Sequence, residues 1–188
     1  MNMKKKQVEI PVIVQKDEII LRKTAKNVEL EDITSPKIQK IIKDMKIALE
    51  SQPDGVAIAA PQIAVPLRIF VVSKRAEIIT KGLENLPEEE KNKLIDPVYI
   101  NPEITKLSRK KTPLDEGCLS VRYLYGKVKR SDKATITAYD ETGKKFTQGG
   151  SGLLAQIFQH ETDHLNGILF TDKAQDVVEV LPEKETND

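Results

Sequence analysis

The chain has 188 residues, and its 30 lysine and arginine residues nearly balance its 29 aspartate and glutamate residues, for a net charge of +1. A chain of this length fits one compact domain. The balanced charge gives no field that would favour nucleic acid or an anionic membrane as a partner. We therefore expect a single domain over residues 1–188 and a monomer, with an N-terminal extension over 1–14 and a C-terminal tail over 173–188.

Cysteine usage and hydropathy indicate the compartment. Cys118 is the only cysteine of the sequence, so no intramolecular disulfide can form. No apolar run approaches the length of a membrane span, and Glu9 and Pro11 interrupt the short apolar stretch near the N-terminus, unlike a signal peptide. We expect a cytoplasmic protein with a free thiol and no membrane partner.

The first half of the chain predicts one helix and one strand. Apolar residues at helical spacing predict a helix over residues 36–51, with Ser35 as its N-cap and a proline in its first turn. The segment PDGVAIAAPQIAVP, residues 53–66, is rich in small residues and proline and predicts a structured, buried loop. The β-branched and aromatic run RIFVVS, residues 68–73, predicts a strand.

The middle of the chain predicts an excursion and then strands. Residues 81–97 are polar and contain two prolines, which predicts an exposed segment with one helical turn. Strand character follows in VYINPEITKLS (98–108), KATITAYD (133–140) and KKFTQGG (144–150), and DETGKK between the last two predicts a hairpin turn.

The last predicted helix carries both histidines of the sequence. Apolar residues recur at helical spacing from Leu153 to Leu165, and Gly167 stands where a glycine commonly ends a helix. His160 and His164 are four residues apart, so they project from one helix face about 6 Å apart and can both direct a ring nitrogen at one ion.

A catalytic metal site generally has three protein ligands and leaves the fourth position to water, so the histidine pair needs a third ligand. The sequence has no third histidine. Cys118 lies in DEGCLSV, where the preceding glycine leaves room for a thiolate to approach an ion. Cys118 and the two histidines would make a site of two nitrogens and one sulfur.

Each of these features also has a purely structural interpretation. A single buried cysteine is commonly a small core residue, and the pattern HExxH also occurs by chance on amphipathic helices. Glu161 could be an ordinary surface glutamate, although its apolar neighbours favour burial. The segment GVAIAAPQ, residues 55–62, favours the functional interpretation, because together with the segments around Cys118 and HExxH it forms a recognisable pattern.

In chain order, GVAIAAPQ, EGCLS and QHETDHLNG resemble the three signature motifs of the peptide deformylases, metalloenzymes that remove the N-formyl group from new bacterial polypeptides. The resemblance covers about residues 15–172. It implies a single catalytic domain with an α+β fold, in which antiparallel strands pack around a central helix that bears HExxH. The substrates it implies are N-formyl-methionyl nascent peptides.

The resemblance also implies a role for each motif residue. The implied metal ligands are a thiolate and two imidazoles, from Cys118, His160 and His164. A divalent ion lowers the pKa of its bound water towards ~7, and Glu161 would act as general base and then general acid. The Gln62 side chain and the Leu119 backbone N–H would contact the oxyanion. A thiolate and two imidazoles accept Fe²⁺, Zn²⁺, Co²⁺ or Ni²⁺, and the resemblance favours ferrous iron in the cell.

Further residues are candidates for binding substrate and for orienting the ligands. An apolar slot for the formylated methionine and the backbone beside it would come from Gly55, Val56, Ala57, Gly117, Leu153 and Ile157. Ligating imidazoles usually donate their other N–H to an acceptor, and Glu116 and Asp163 are placed for this. The resemblance implies that Arg130 pairs with one of these carboxylates.

The sequence departs from the family pattern at three places. Ala57 stands where a glycine is usual, and Ile58 replaces a leucine. We expect Ala57 at negative φ, in an extended segment whose backbone can pair with a peptide. Arg122 stands where the family usually has a proline after EGCLSV, so we expect the lip of the substrate cleft to differ from the family pattern. The C-terminal VVEVLPEKETND shows no helix for ribosome docking.

Two other functions remain open at this point. One is a catalytically weak or silent protein that binds formylated peptides, or keeps its metal for structure. The other is a general endopeptidase, which shares HExxH but has a different third ligand. Glu161 distinguishes an enzyme from the first alternative, since catalysis needs this carboxylate and a structural metal site does not.

Overall fold

The computed structural model describes residues 9–181, which form two antiparallel sheets and four helices. The helices are α1 (Pro36–Glu50), α2 (Lys74–Lys81), α3 (Glu88–Lys91) and α4 (Leu153–Leu165). The five-stranded sheet contains, in spatial order, β1 (Ala57–Ala59), β2 (Ile69–Val72), β3 (Val98–Leu107), β6 (Lys133–Tyr139) and β7 (Lys145–Ser151). The three-stranded sheet contains β4 (Lys111–Glu116), β5 (Leu124–Ser131) and β8 (Gln175–Glu179) in that order.

Helix α4 lies at the centre of the fold and packs against strands of both sheets. Its apolar side chains join a core in which Phe158 contacts Phe70 and Tyr99, with ring centroids 6.5 and 5.4 Å apart. Aromatic pairs of this kind add about 0.5–1.5 kcal/mol each beyond the burial of their area. The α+β fold with antiparallel strands around a central HExxH helix is therefore confirmed.

The chain leaves α4 through Gly167, whose φ of 74° is left-handed. A Cβ at this position would lie 2.6 Å from the backbone oxygen of Arg22, so both the conformation and the space require glycine. The predicted capping role of Gly167 agrees with this geometry.

The first predicted helix is also confirmed. Helix α1 begins after Ser35, whose Oγ accepts a hydrogen bond from the Ile38 N–H at 3.4 Å, and ends at Glu50. Its apolar face, which includes Met45 and Leu49, packs against Ile58 of β1 and Ile69 and Val71 of β2. The expected burial of residues 53–66 is confirmed for residues 57–62, whereas both ends of the segment are exposed. The segment is also not a simple loop, since β1 is followed by a 3-10 turn at Ala60–Ile63.

Helix α2 and strands β4 and β5 have no counterpart in the sequence prediction, whereas the helical turn expected within residues 81–97 is α3. Each outward position of β5 from Tyr125 to Lys129 is exposed, and its inward positions include a glycine and an arginine, so the strand lacks an apolar face. Pairing with β4 over residues 126–131, and with β8 near its start, stabilises β5 instead.

Within the stretch expected to be the C-terminal tail, Gln175–Glu179 forms β8 and pairs with β5. All five side chains of β8 are exposed, so the strand lacks the alternation of apolar and polar residues by which a strand is predicted from sequence. Residues 182–188 lie outside the described residues, as do residues 1–8 of the predicted N-terminal extension. Within that extension, the Val14 N–H donates to the Gln62 carbonyl at 2.9 Å. No helix between residues 9 and 181 is long and apolar enough to cross a membrane.

Candidate active site

A cleft of about 340 Å³ lies between the two sheets, with α4 as its floor. Three segments meet there: the one that ends at Gln62, the one that contains Cys118, and the face of α4 that carries His160. Its walls are predominantly apolar. A cleft of this size and character suits the side chain and backbone of a short peptide.

Cys118, His160 and His164 form the candidate metal centre. Their potential ligand atoms all lie within 4.8 Å of one another, and Cys118 Sγ is 3.2 Å from His164 Nε2. Ligands of one tetrahedral ion are separated by roughly 3.3–3.8 Å, given metal–ligand bonds of about 2.0–2.3 Å. The arrangement therefore fits a small divalent ion, and the i, i+4 spacing on α4 places both imidazoles on one side of it.

A buried ionic network orients His160. Glu116 Oε2 is 3.0 Å from His160 Nδ1, which leaves Nε2 of the ring for an ion. Arg130 donates from Nε and Nη2 to the two oxygens of Glu116, at 2.7 and 2.9 Å, and from Nη1 to Asp163 at 2.6 Å. Burial raises the pKa of Glu116, but the hydrogen bonds from Arg130 and His160 outweigh it and lower that pKa to about 2. Glu116 is therefore an anion that accepts from His160.

Glu116 thus contacts the candidate ligand His160 directly, whereas Asp163 is linked to it only through Arg130 and Glu116. Asp163 contacts Arg130 and also accepts from Lys173 Nζ at 2.7 Å, and it makes no hydrogen bond to either histidine. Asp163 was expected to accept from a ligating imidazole, and in the structure it positions Arg130 instead.

Glu161 is 3% exposed and follows His160 on α4. Burial raises the pKa of its carboxyl to about 7, against the opposing effect of the His160 charge. Its Oε2 has no hydrogen-bond partner among the described residues. A carboxyl whose pKa lies near neutrality, with an unpaired oxygen at a cleft, is the type of group that exchanges protons with a ligand.

Gln62 and Leu119 approach the thiol from two segments. Gln62 Oε1 accepts from the Ala59 N–H at 2.8 Å, so its Nε2 points at Cys118 Sγ (3.5 Å) and Ser120 Oγ (3.1 Å). The Leu119 N–H makes no hydrogen bond to any of residues 9–181, while the Leu119 carbonyl accepts from Gln15. Two N–H donors therefore lie beside the candidate metal centre.

The six residues expected to bind substrate all line the cleft: Gly55, Val56, Ala57, Gly117, Leu153 and Ile157. Ala57 is extended, since it lies in β1 and is not among the described non-glycine residues with positive φ. A Cβ on Gly117 would lie 2.8 Å from the Tyr125 ring, so a larger residue there would displace this ring. Strand β1 is an edge strand that pairs with β2 on one side, which leaves its other edge for a peptide.

Part of the cleft lining was not predicted from the sequence. The lining also includes Asp54, Asp115, Val121, Tyr123, Leu124, Tyr125 and Gln156, and Arg122 was noted as a departure without a partner. Arg122 forms an ion pair with Asp54. The two residues are far apart in the chain, so no local sequence pattern could have predicted this pair. The tyrosines alternate in RYLYGK, which is a signal of a strand with one aromatic face.

Comparisons with known proteins agree with this geometry. A family model described as polypeptide deformylase matches residues 10–179. The chain is 41% identical over 171 residues to peptide deformylase 1A, chloroplastic/mitochondrial, of Arabidopsis thaliana, covering 90% of this chain and 63% of that protein. It is 39% identical over 153 residues to peptide deformylase 2 of Clostridium acetobutylicum, covering 81% of this chain and 87% of that one.

Solved structures are similar as well. The crystal structure of a peptide deformylase from Legionella pneumophila has a TM-score of 0.75 and 37% identity, with coverage of 89% of this chain and 88% of that one. A peptide deformylase from Synechococcus elongatus, solved in complex with actinonin, has a TM-score of 0.72 and 30% identity over 94% of this chain and 85% of its own. With the family model matched over most of the chain, these similarities show that the chain belongs to the polypeptide deformylase family.

Proposed function

We propose that the protein is a metal-dependent hydrolase that removes the N-formyl group from the N-terminal formyl-methionine of newly made polypeptides. The observation that carries the proposal is the convergence of Cys118, His160 and His164 within 4.8 Å, beside the buried carboxyl of Glu161, in an apolar cleft. Membership of the polypeptide deformylase family supports the same reaction.

Cys118, His160 and His164 would hold one divalent ion, because their donor set and separations fit such an ion. When bound, the ion supplies Lewis acidity that makes water more acidic and polarises the formyl group. We propose Fe²⁺ in the cell on the strength of the family resemblance, since this donor set also accepts Zn²⁺, Co²⁺ and Ni²⁺. The free thiol suits a reducing compartment, so a cytoplasmic location is part of the proposal.

Glu161 would carry the proton. Its unpaired Oε2 takes a proton from the attacking water and then gives it to the nitrogen of the breaking C–N bond, which leaves a free amine and formic acid that ionises to formate. A pKa raised by burial suits both halves of this transfer, because the carboxyl must bind and release the same proton near neutral pH.

Gln62 and Leu119 would bind the formyl oxygen as negative charge develops on it. The Gln62 Nε2 donor is fixed by the bond between its Oε1 and the Ala59 N–H, so it needs little reorganisation during the reaction. Fixed donors of this type are worth about 2.7–4 kcal/mol each in the transition state. The apolar residues Val56, Leu153 and Ile157 would bind the methionine side chain.

The experiment is the release of formate from formyl-Met-Ala by protein purified without oxygen and loaded with one ion per chain. Glu161→Gln should keep the metal and lose about 10²- to 10⁴-fold in kcat, because the ligands remain while the proton carrier is lost. Glu141→Gln, which removes a surface carboxylate outside the cleft, serves as the matched control and should match the wild type.

Two results would contradict the proposal. One is activity of Glu161→Gln within twofold of the wild type. The other is wild-type protein that holds its ion and binds formyl-Met-Ala in a calorimeter but releases no formate, which would favour a protein that binds formylated peptides without hydrolysing them.

A further inference from the structure

An ion pair joins the two walls of the cleft at its outer end. Arg122 donates from Nη1 to Asp54 Oδ2 at 2.6 Å and from Nη2 to Asp54 Oδ1 at 3.2 Å. Nη2 also donates to Gln52 Oε1 at 2.7 Å. The geometry is bidentate, which is the arrangement that best fixes a guanidinium against a carboxylate.

The position of the pair follows from the course of the two walls. One wall runs backwards along the chain from Gln62, beside the thiol, through β1 to Asp54. The other wall runs forwards from Cys118 to Arg122. Both walls therefore begin at the candidate metal centre and end at the ion pair. A peptide with its formyl group at the centre that pairs with the free edge of β1 would extend towards this pair.

The loop that carries Asp54 is held firmly from its other side. Arg75, on α2, donates from Nη1 to the backbone oxygens of Gln52 and Gly55. The Asp54 side chain is 55% exposed and that of Arg122 is 25% exposed, so a ligand can reach both. Tyr123 and Tyr125, each 40% exposed, lie beside the pair and replace water there with aromatic surface.

We propose that the ion pair of Arg122 and Asp54 keeps either residue from selecting substrates by the charge of the residues that follow the formylated methionine. Because the two charges neutralise each other, neither is available to a peptide side chain in the wild type. Removal of one partner exposes the charge of the other at the point where these side chains pass. This inference rests on the proposed deformylase function.

The expected changes have opposite signs. Asp54→Asn leaves Arg122 as an unpaired cation, so the ratio of kcat/KM for a Glu-containing peptide to that for a Lys-containing peptide should rise. Arg122→Gln leaves Asp54 unpaired, so the same ratio should fall. For charges about 7 Å apart, Coulomb's law with the dielectric constant of water gives about threefold for each peptide, in opposite directions for Glu and Lys, so the ratio should shift by about sevenfold or more. Asp115 also lines the cleft, so the wild-type ratio is the reference for both changes.

The experiment measures formate release from formyl-Met-Glu-Ser, formyl-Met-Gln-Ser and formyl-Met-Lys-Ser with the metal-loaded full chain. Arg22→Gln and Glu141→Gln are charge-matched controls, since each removes one partner of an ion pair whose residues do not line the cleft. The exchanged variant Asp54→Arg/Arg122→Asp should restore a ratio close to the wild type. At 1 M salt, where the Debye length is about 3 Å, the shifts should largely disappear.

The inference is overturned if both single variants move the ratio in the same direction, or if neither moves it by twofold while the proteins remain folded by circular dichroism. A shift that survives 1 M salt would also overturn it, because it would indicate altered shape. Failure of the proposed function is a separate outcome, in which the wild type releases no formate from the uncharged formyl-Met-Gln-Ser peptide.

Discussion

Replacement of Arg130 by methionine tests the ionic network behind His160. Arg130 is 4% exposed and is the cation between two buried carboxylates, those of Glu116 and Asp163. Methionine keeps most of the length and apolar volume of the side chain but removes all three hydrogen bonds. The perturbation therefore leaves the packing of β5 largely in place and exposes the electrostatic contribution.

The magnitude follows from what each carboxylate retains. Breaking a buried ion pair by removal of one partner costs about 3–5 kcal/mol, because the remaining charge is uncompensated. Asp163 keeps its contact with Lys173 at 2.7 Å, whereas Glu116 keeps His160 at 3.0 Å and a long hydrogen bond from Gln156 Nε2 at 3.4 Å. We therefore expect the lower end of this range, about 3 kcal/mol, which corresponds to a fall in Tm of roughly 6–12 °C for a chain of this size.

Urea unfolding in the presence of a chelator measures this cost without the contribution of metal binding. Lys129→Met is the matched control, since Lys129 is an exposed residue of the same strand, and its effect should stay within about 0.5 kcal/mol. Metal affinity of Arg130→Met should also fall, by about 10- to 100-fold, because Glu116 loses the partner that fixes it against His160. A loss of stability below about 1 kcal/mol would refute the reasoning.

Two further predictions concern the thiol and the first motif. Mild peroxide should inactivate the metal-loaded enzyme with loss of the ion, and mass spectrometry should find Cys118 oxidised; an inactivated protein with Cys118 still a thiol would exclude this route. Ala57→Gly should change kcat/KM for formyl-Met-Ala by less than about tenfold, ~1.4 kcal/mol, because Ala57 already has an extended conformation that suits both residues. A hundredfold gain in the same assay would mean that the methyl group obstructs the substrate.

The candidate metal centre could be predicted from sequence because ligation imposes residue types at a fixed spacing. His160 and His164 lie on one helix face, and the helix itself is visible from its apolar residues. Cys118 is brought to them by tertiary structure, and the sequence signal for it was the short motif around it. The distance of 3.2 Å between Cys118 Sγ and His164 Nε2 could come only from the fold.

The three-stranded sheet could not be predicted in the same way. The inward positions of β5 alternate as in an ordinary strand, but they include Gly126 and Arg130, which weaken the apolar signal. The pairing of Arg122 with Asp54 is likewise absent from any local pattern, since 68 positions separate the two residues. Both features depend on contacts that form only after the chain has folded.

Arg130 weakens the apolar pattern of β5, and its contacts explain why the strand has an arginine at this inward position. An arginine at an inward strand position is costly, and apolar replacements of buried ionic groups are often as stable as the groups themselves. Here Arg130 holds both oxygens of Glu116, and Glu116 in turn contacts Nδ1 of His160. We infer that the fold accepts this local cost because an apolar residue could not fix the ring with Nε2 towards the ion site. Local propensity and global fold therefore disagree at the position where the candidate metal centre needs its support.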